Sequence, residues 1–127
     1  MSERFQQRRA EFDKALQRLV MALAQERNEY IQDAVIQRFE FTYELAWKAL
    51  KNCLAMKDID VRNAKDTLKA AYQQGLIQDA DAWSLLHQQR NLTSHTYDSQ
   101  LADEVYDFVA QQGVTLFKAL QVTLAAL

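Results

Sequence analysis

The residues of this chain that could do chemistry are gathered in one stretch, His87-Gln-Gln-Arg90-Asn91-Leu-Thr-Ser94-His95-Thr-Tyr97-Asp98. It holds both histidines of the protein and the only Lys or Arg between Ala70 and Phe117. An imidazole with an ordinary pKa of about 6.5 takes or gives a proton at neutral pH. A guanidinium offers a rigid fork of donors that fits a phosphate and the added charge of its transition state. Without a carboxylate triad or a set of metal ligands, the two together suit metal-free cleavage of an RNA backbone. There the 2′-hydroxyl is the nucleophile, and the protein supplies proton transfer and charge stabilisation. His87 and His95 make no metal site, since neither a carboxylate nor a thiol completes one. No metal and no cofactor is expected.

The spacing is helical. His87, Asn91 and His95 fall on one row at successive i+4 steps, and Trp83, Leu86, Arg90, Ser94 and Tyr97 fall on the neighbouring row. Arg90 thus continues a stripe that begins with Trp and Leu and points toward a core. Arg90 and His95 are five residues apart, about 140° on a regular helix, so one helix cannot easily aim both at one phosphate. Either the helix unwinds near Thr93–His95, or two copies of the stretch meet across a dimer. A purely structural role is also open: Asp79, Asp81 and Asp98 are available to hold Arg90, and a histidine near a helix C-terminus can act as a cap.

The elements that must position this stretch are all helices. Phe5, Phe12, Leu16, Leu19 and Leu23 form the stripe of a first helix, whose other face is rich in arginine. A second helix over about Tyr30–Met56 carries Phe39, Tyr43, Trp47, Leu50 and Leu54 on one stripe and Phe41 and Leu45 on another. Between them runs a narrow charged row, Glu40, Glu44, Lys48 and Lys51, in which Glu44 and Lys48 are spaced for a helical ion pair. Two apolar faces require two partners, so this helix is central in the bundle or shared with a second subunit. Asp58-Ile-Asp60 is a short connection, Asp60 or Asn63 caps a third helix, and Gly75 ends it as a left-handed C-cap. A fourth helix begins at Asp79 or Asp81. A fifth runs from about Ser99 to the end on Val105, Val109, Leu116, Leu120 and Leu127, with Gly113 on the same stripe permitting a close helix crossing.

Composition agrees. The 127 residues include no proline and two glycines, too few turn formers for an all-β fold, and 49% apolar with 25% charged residues is a globular balance. The chain reads as one domain over residues 1–127, an all-α, mostly up-and-down bundle of four to five helices. Its longest apolar run, Leu19–Ala24, is far short of a membrane span, and MSERFQQRR has no signal-peptide core, so a cytoplasmic protein is expected. One cysteine, Cys53, excludes an intrachain disulfide. Net charge is −2, yet the Ala70–Phe117 half carries six carboxylates against Arg90. Phosphate contacts must therefore come from the basic first half or from a second subunit.

Arg90-Asn-Leu-Thr-Ser-His95-Thr-Tyr97 resembles the Arg-x4-His-x-Tyr signature of the HEPN superfamily (higher eukaryotes and prokaryotes nucleotide-binding domain). The run Gly75-Leu-Ile-Gln-Asp-Ala-Asp-Ala-Trp83, continued by Arg90-Asn91 and Ser94-His-Thr-Tyr-Asp98, is similar to a bacterial branch of it, the nucleotidyltransferase substrate-binding proteins. These are small partners of a minimal nucleotidyltransferase made as a separate chain. The likeness covers nearly the whole sequence, including the Phe39–Trp47 aromatic helix. It implies a helical bundle that forms a homodimer with the two motifs facing each other. In HEPN ribonucleases the motif Arg and His act without metal. By this resemblance Arg90 steadies the scissile phosphate and His95 handles proton transfer, with Asn91 and Ser94 as supporting polar neighbours. In related toxin–antitoxin pairs the nucleotidyltransferase adds AMP to the motif tyrosine, which is Tyr97 here. The resemblance implies two functions: a ribonuclease toxin silenced by its partner, or a non-catalytic subunit that holds a nucleotide or other small substrate for that partner.

Overall fold

The structure is a computed structural model describing residues 2–127. Helices α1 (Glu3–Leu23), α2 (Glu29–Ala55), α3 (Ala64–Gln73), α4 (Ala80–Leu92), α5 (Ser99–Phe108) and α6 (Val114–Ala125) account for most of the chain. A 3₁₀ turn, Thr93–His95, follows α4, and a π turn, Val109–Gly113, joins α5 to α6. The fold is an all-α bundle, as the periodicity predicts.

Local chemistry fixes where the helices start. Ser2, Asn28, Asn63, Asp79 and Asp98 each stand in extended backbone and accept a hydrogen bond from a first-turn N–H of α1 to α5. Such a cap contributes about 1 kcal/mol by satisfying an otherwise orphaned donor. Asn63, rather than Asp60, starts α3, and Asp79, rather than Asp81, starts α4. At the end of α3, Gly75 has φ +75°, with Gly75 N–H bonded to Tyr72 O and Leu76 N–H to Ala71 O. This paired closure needs a left-handed residue, the expected role of the glycine. Asp58, with φ 61°, performs the same closure after α2, its N–H bonding Ala55 O and that of Ile59 bonding Leu54 O.

The buried side chains form one contiguous cluster. Helix α2 lies at its centre, packed by α1, α3, α4 and α5, while α6 returns along α1. The predicted α2 stripe is buried at Phe39, Tyr43, Leu50 and Leu54, with Trp47 half-buried. Phe41, on the second stripe, remains half exposed. Phe117 is the aromatic hub: its ring centroid lies 6.1 Å from Phe12, 6.0 Å from Phe39 and 6.2 Å from Trp83, so α6 meets α1, α2 and α4 at one residue.

The last helix departs from expectation. Phe117 and Leu124 take the core positions, while Leu116 is half-buried and Leu127 exposed. Val105, Val109, Gly113 and Phe117 step by four three times, which on a regular helix drifts by about 120°. One residue inserted at the π turn returns about 100° of that drift. Gly113 has a different reason from the one expected. A Cβ there would lie 3.3 Å from the ring of Phe108, so the glycine makes room for a side chain of its own helix rather than for a crossing helix. Among the described residues no helix is long and apolar enough to cross a membrane.

Candidate functional site

Arg90 lies in the last turn of α4, where the chain tightens. Its guanidinium Nη1 donates to Thr93 Oγ1 at 3.2 Å, while the same hydroxyl donates to the Arg90 carbonyl at 2.7 Å. Ser94 Oγ donates to Asn91 O at 3.0 Å and Thr96 Oγ1 to Thr93 O at 3.1 Å. Three hydroxyls thus add hydrogen bonds to carbonyls at and just past the end of α4, and the turn is compact without a glycine.

The anion that holds Arg90 comes from α2. Glu44 Oε1 lies 3.5 Å from Arg90 Nε, and Glu44 Oε2 accepts from Trp47 Nε1 at 3.0 Å. Glu44 therefore turns to Arg90 and Trp47 instead of forming the expected pair with Lys48, and the partner of Arg90 is none of Asp79, Asp81 or Asp98. Asp79 and Asp98 serve as helix caps, while Arg27 draws Asp107 to 2.8 Å and Asp103 to 3.7 Å. Two of the six carboxylates in the acidic half thus share one cation of the basic half. With Nε buried against Glu44 and one Nη1 hydrogen on Thr93, three of the five guanidinium hydrogens remain for another acceptor.

His95, at the end of the 3₁₀ turn, is exposed and meets the ring of Tyr97 edge-on at 6.1 Å. Tyr97 is 87% exposed, the most open large apolar side chain of the described residues. Asn91 and Ser94 are exposed as well. Among the described residues no hydrogen bond, ion pair or ring contact joins His95 to Arg90. The expected unwinding does not occur: the chain tightens instead into a 3₁₀ turn, whose three residues at about 120° each would carry His95 to roughly 200° round the axis from Arg90.

His87 has a separate environment. Its Nδ1 lies 2.5 Å from the hydroxyl of Tyr43, which is 2% exposed. The buried hydroxyl needs an acceptor, so Tyr43 donates to Nδ1 and the proton of the neutral ring sits on Nε2. Partial burial holds the His87 pKa below its ordinary range, aided by Lys65 and Arg90 and opposed by Glu44. Burial, then the Glu44 charge, raises the Tyr43 phenol well above its usual value against the pull of Arg90. Tyr43, Glu44, His87 and Arg90 are therefore one electrostatic group. Spacing assigned Tyr43 to the core and Glu44 to a surface pair. The available signal was a carboxylate set between two apolar stripes of a central helix, where full solvation is difficult.

A helical bundle carrying Arg-x4-His-x-Tyr at the end of a core helix defines the HEPN class, as the motif residues suggest. The chain belongs to the family described as nucleotidyltransferase substrate binding protein like, whose model matches residues 7–126. It is 38% identical over 99 residues to a probable ribonuclease HepT of Haemophilus influenzae, covering 68% of each chain. A Thermus thermophilus protein superposes with a TM-score of 0.82 at 31% identity, over 89% of this chain and 98% of that one. A Haemophilus influenzae structure described as a nucleotidyltransferase substrate-binding domain superposes with a TM-score of 0.75 at 28% identity, over 95% and 98%. A toxin–antitoxin structure with AMP-PNP shares the fold, with a TM-score of 0.78 at 17% identity, over 98% and 99%.

Proposed function

We propose that this chain, as one domain over residues 1–127, is a cytoplasmic, metal-independent endoribonuclease toxin that works as a homodimer and is silenced by a partner nucleotidyltransferase. The observation that carries this reading is the contrast between a braced Arg90 and an exposed His95 that no contact joins within one chain. A phosphate needs both residues, so the Arg90 of one subunit is matched with the His95 of the other. The half-exposed Phe41 stripe on α2 supports an interface between copies. The match to a probable ribonuclease supports the activity, and the family supports the nucleotidyltransferase partner.

In this mechanism the 2′-hydroxyl attacks phosphorus as His95 takes its proton, the P–O5′ bond breaks to leave a 2′,3′-cyclic phosphate, and the departing 5′-oxygen takes a proton from solvent water. The free N–H donors of Arg90 bind the non-bridging oxygens as their charge rises. Asn91 and Ser94 line the approach. Tyr97 is the modification site: an AMP group there adds bulk and negative charge beside His95 and repels RNA.

The deciding experiment is RNA cleavage by the purified, unmodified protein in excess EDTA, with wild type beside Arg90→Ala and His95→Ala. Cleavage to 2′,3′-cyclic phosphate ends, lost in both variants, is expected. Silence from a dimeric wild type whose mass shows no AMP would overturn the ribonuclease and favour the second reading, a non-catalytic subunit that holds a nucleotide or small substrate for its partner, to which the family description also points.

A further inference from the structure

Away from Arg90 and His95, a cavity of about 390 Å³ opens between α3 and α4. Its floor is made by Leu68, Ile77 and Trp83, each less than a tenth exposed, and Tyr72 forms part of a wall. That volume is in the range of small-molecule sites, and the apolar lining favours a ligand with a hydrophobic body. The polar groups around it are few, and its charged ones are all cationic. Lys65 and Lys69, one helical turn apart on α3, line the cavity, and among the described residues no carboxylate pairs with either. The nearest acid on that helix, Asp66, is held by Asn63 through both its backbone and its carboxylate. His87 completes the lining, and because Tyr43 donates to its Nδ1, its Nε2 is a donor without an acceptor among the described residues. Two ammonium groups and an N–H donor beside an apolar floor form a cavity with donors on offer and no anion to receive them.

We propose that the α3–α4 cavity binds a small hydrophobic carboxylic acid, its aromatic or alkyl body on Leu68, Ile77 and Trp83 and its carboxylate among Lys65, Lys69 and His87. A nucleotide fits less well, because its sugar hydroxyls and base edges would meet a wall with few polar partners. This site is independent of the RNA-cleavage reading and stands whether or not the chain cuts RNA.

The test is calorimetric titration of the full chain with naphthalene-2-carboxylate, with Trp fluorescence as a second readout. Saturable binding of one probe per chain is expected, with the neutral alcohol analogue about tenfold weaker. Lys65→Ala combined with Lys69→Ala, at two lysines engaged in no ion pair among the described residues, should weaken the acid about tenfold and leave the alcohol unchanged. Ser84→Trp, an exposed position at the cavity, should block both. The proposal is overturned by no saturable binding at millimolar probe, by equal binding to Ser84→Trp, or by AMP binding more tightly than the acid. Unchanged melting of the lysine variant confirms that a weaker signal reports binding, not folding.

Discussion

Arg90 is braced from two sides: Glu44 on α2 lies 3.5 Å from its Nε, and Thr93, three residues on, accepts from its Nη1 at 3.2 Å. The arginine is thus held in one direction before any phosphate arrives. A preorganised donor avoids the entropy of ordering a long side chain at the transition state. The same pairing explains a polar residue on a stripe that begins with Trp83 and Leu86.

This brace predicts a separation of activity from stability. Glu44→Gln keeps the shape and the bond to Trp47 but removes the charge. Both partners are partly exposed, so the change should cost less than about 1 kcal/mol in stability. RNA cleavage should fall by about tenfold or more as Arg90 loses its orientation. Arg90→Lys, which cannot form the fork, should lose about a hundredfold. Urea melts beside cleavage rates measure both effects; equal activity in Glu44→Gln would show that the brace has no catalytic part.

Complementation tests the shared site. Arg90→Ala and His95→Ala proteins, each inactive alone, should regain part of the wild-type cleavage when unfolded and refolded together, because a mixed dimer holds one intact pair. No recovery from a mixture shown by mass to contain heterodimer would place both residues of each site in a single chain.

Tyr97 is open enough to be modified in the folded state. Tyr97→Phe should cleave RNA within about threefold of wild type, since the phenol has no part in proton transfer. It should also gain no AMP mass when incubated with the partner enzyme and ATP, and should escape silencing. Equal AMP incorporation into Tyr97→Phe would move the modified residue elsewhere.

The His87–Tyr43 bond predicts a pH dependence of stability. The folded-state pKa of His87 is depressed, so the unfolded chain binds its proton first as pH falls. Stability from this group is complete above the unfolded value of about 6.5 and is lost as pH falls from there through the folded pKa. His87→Gln should flatten that part of the curve. Tyr43→Phe removes the hydrogen bond and should cost about 1 kcal/mol at neutral pH. Thermal melts of the three proteins between about pH 5 and 8 provide the comparison.

Backbone and core make stability predictions of opposite sign. Gly75→Ala meets no atom within 4 Å but forces a side chain to φ +75°, and should cost about 1 kcal/mol. Asp58→Gly relieves the same strain at φ 61° and should stabilise by a few tenths of a kcal/mol to about 1. Phe117→Ala, which empties the hub shared by three other aromatic rings, should cost about 3–5 kcal/mol. Denaturant melts rank the three.

Much of this was legible along the chain. Stripes at 3.6-residue spacing, Asn and Asp caps, a left-handed glycine and the Arg90/His95 spacing are local properties, and local sterics and hydrogen bonding enforce them wherever the helices pack. Other features depend on residues far apart in sequence. Whether Glu44 meets Lys48 or Arg90 is decided by how α4 lies on α2, because a solvent-exposed pair gains too little to resist a half-buried guanidinium. Whether Leu116 or Phe117 enters the core depends on one π turn, whose extra residue shifts the phase of the helix that follows. Tyr43 donates to His87 across 44 residues because its buried hydroxyl has no water to receive it. Sequence by itself determined the helices and the Arg90/His95 motif of the proposed site. Only tertiary packing decided which side chains brace Arg90 and where the cavity opens.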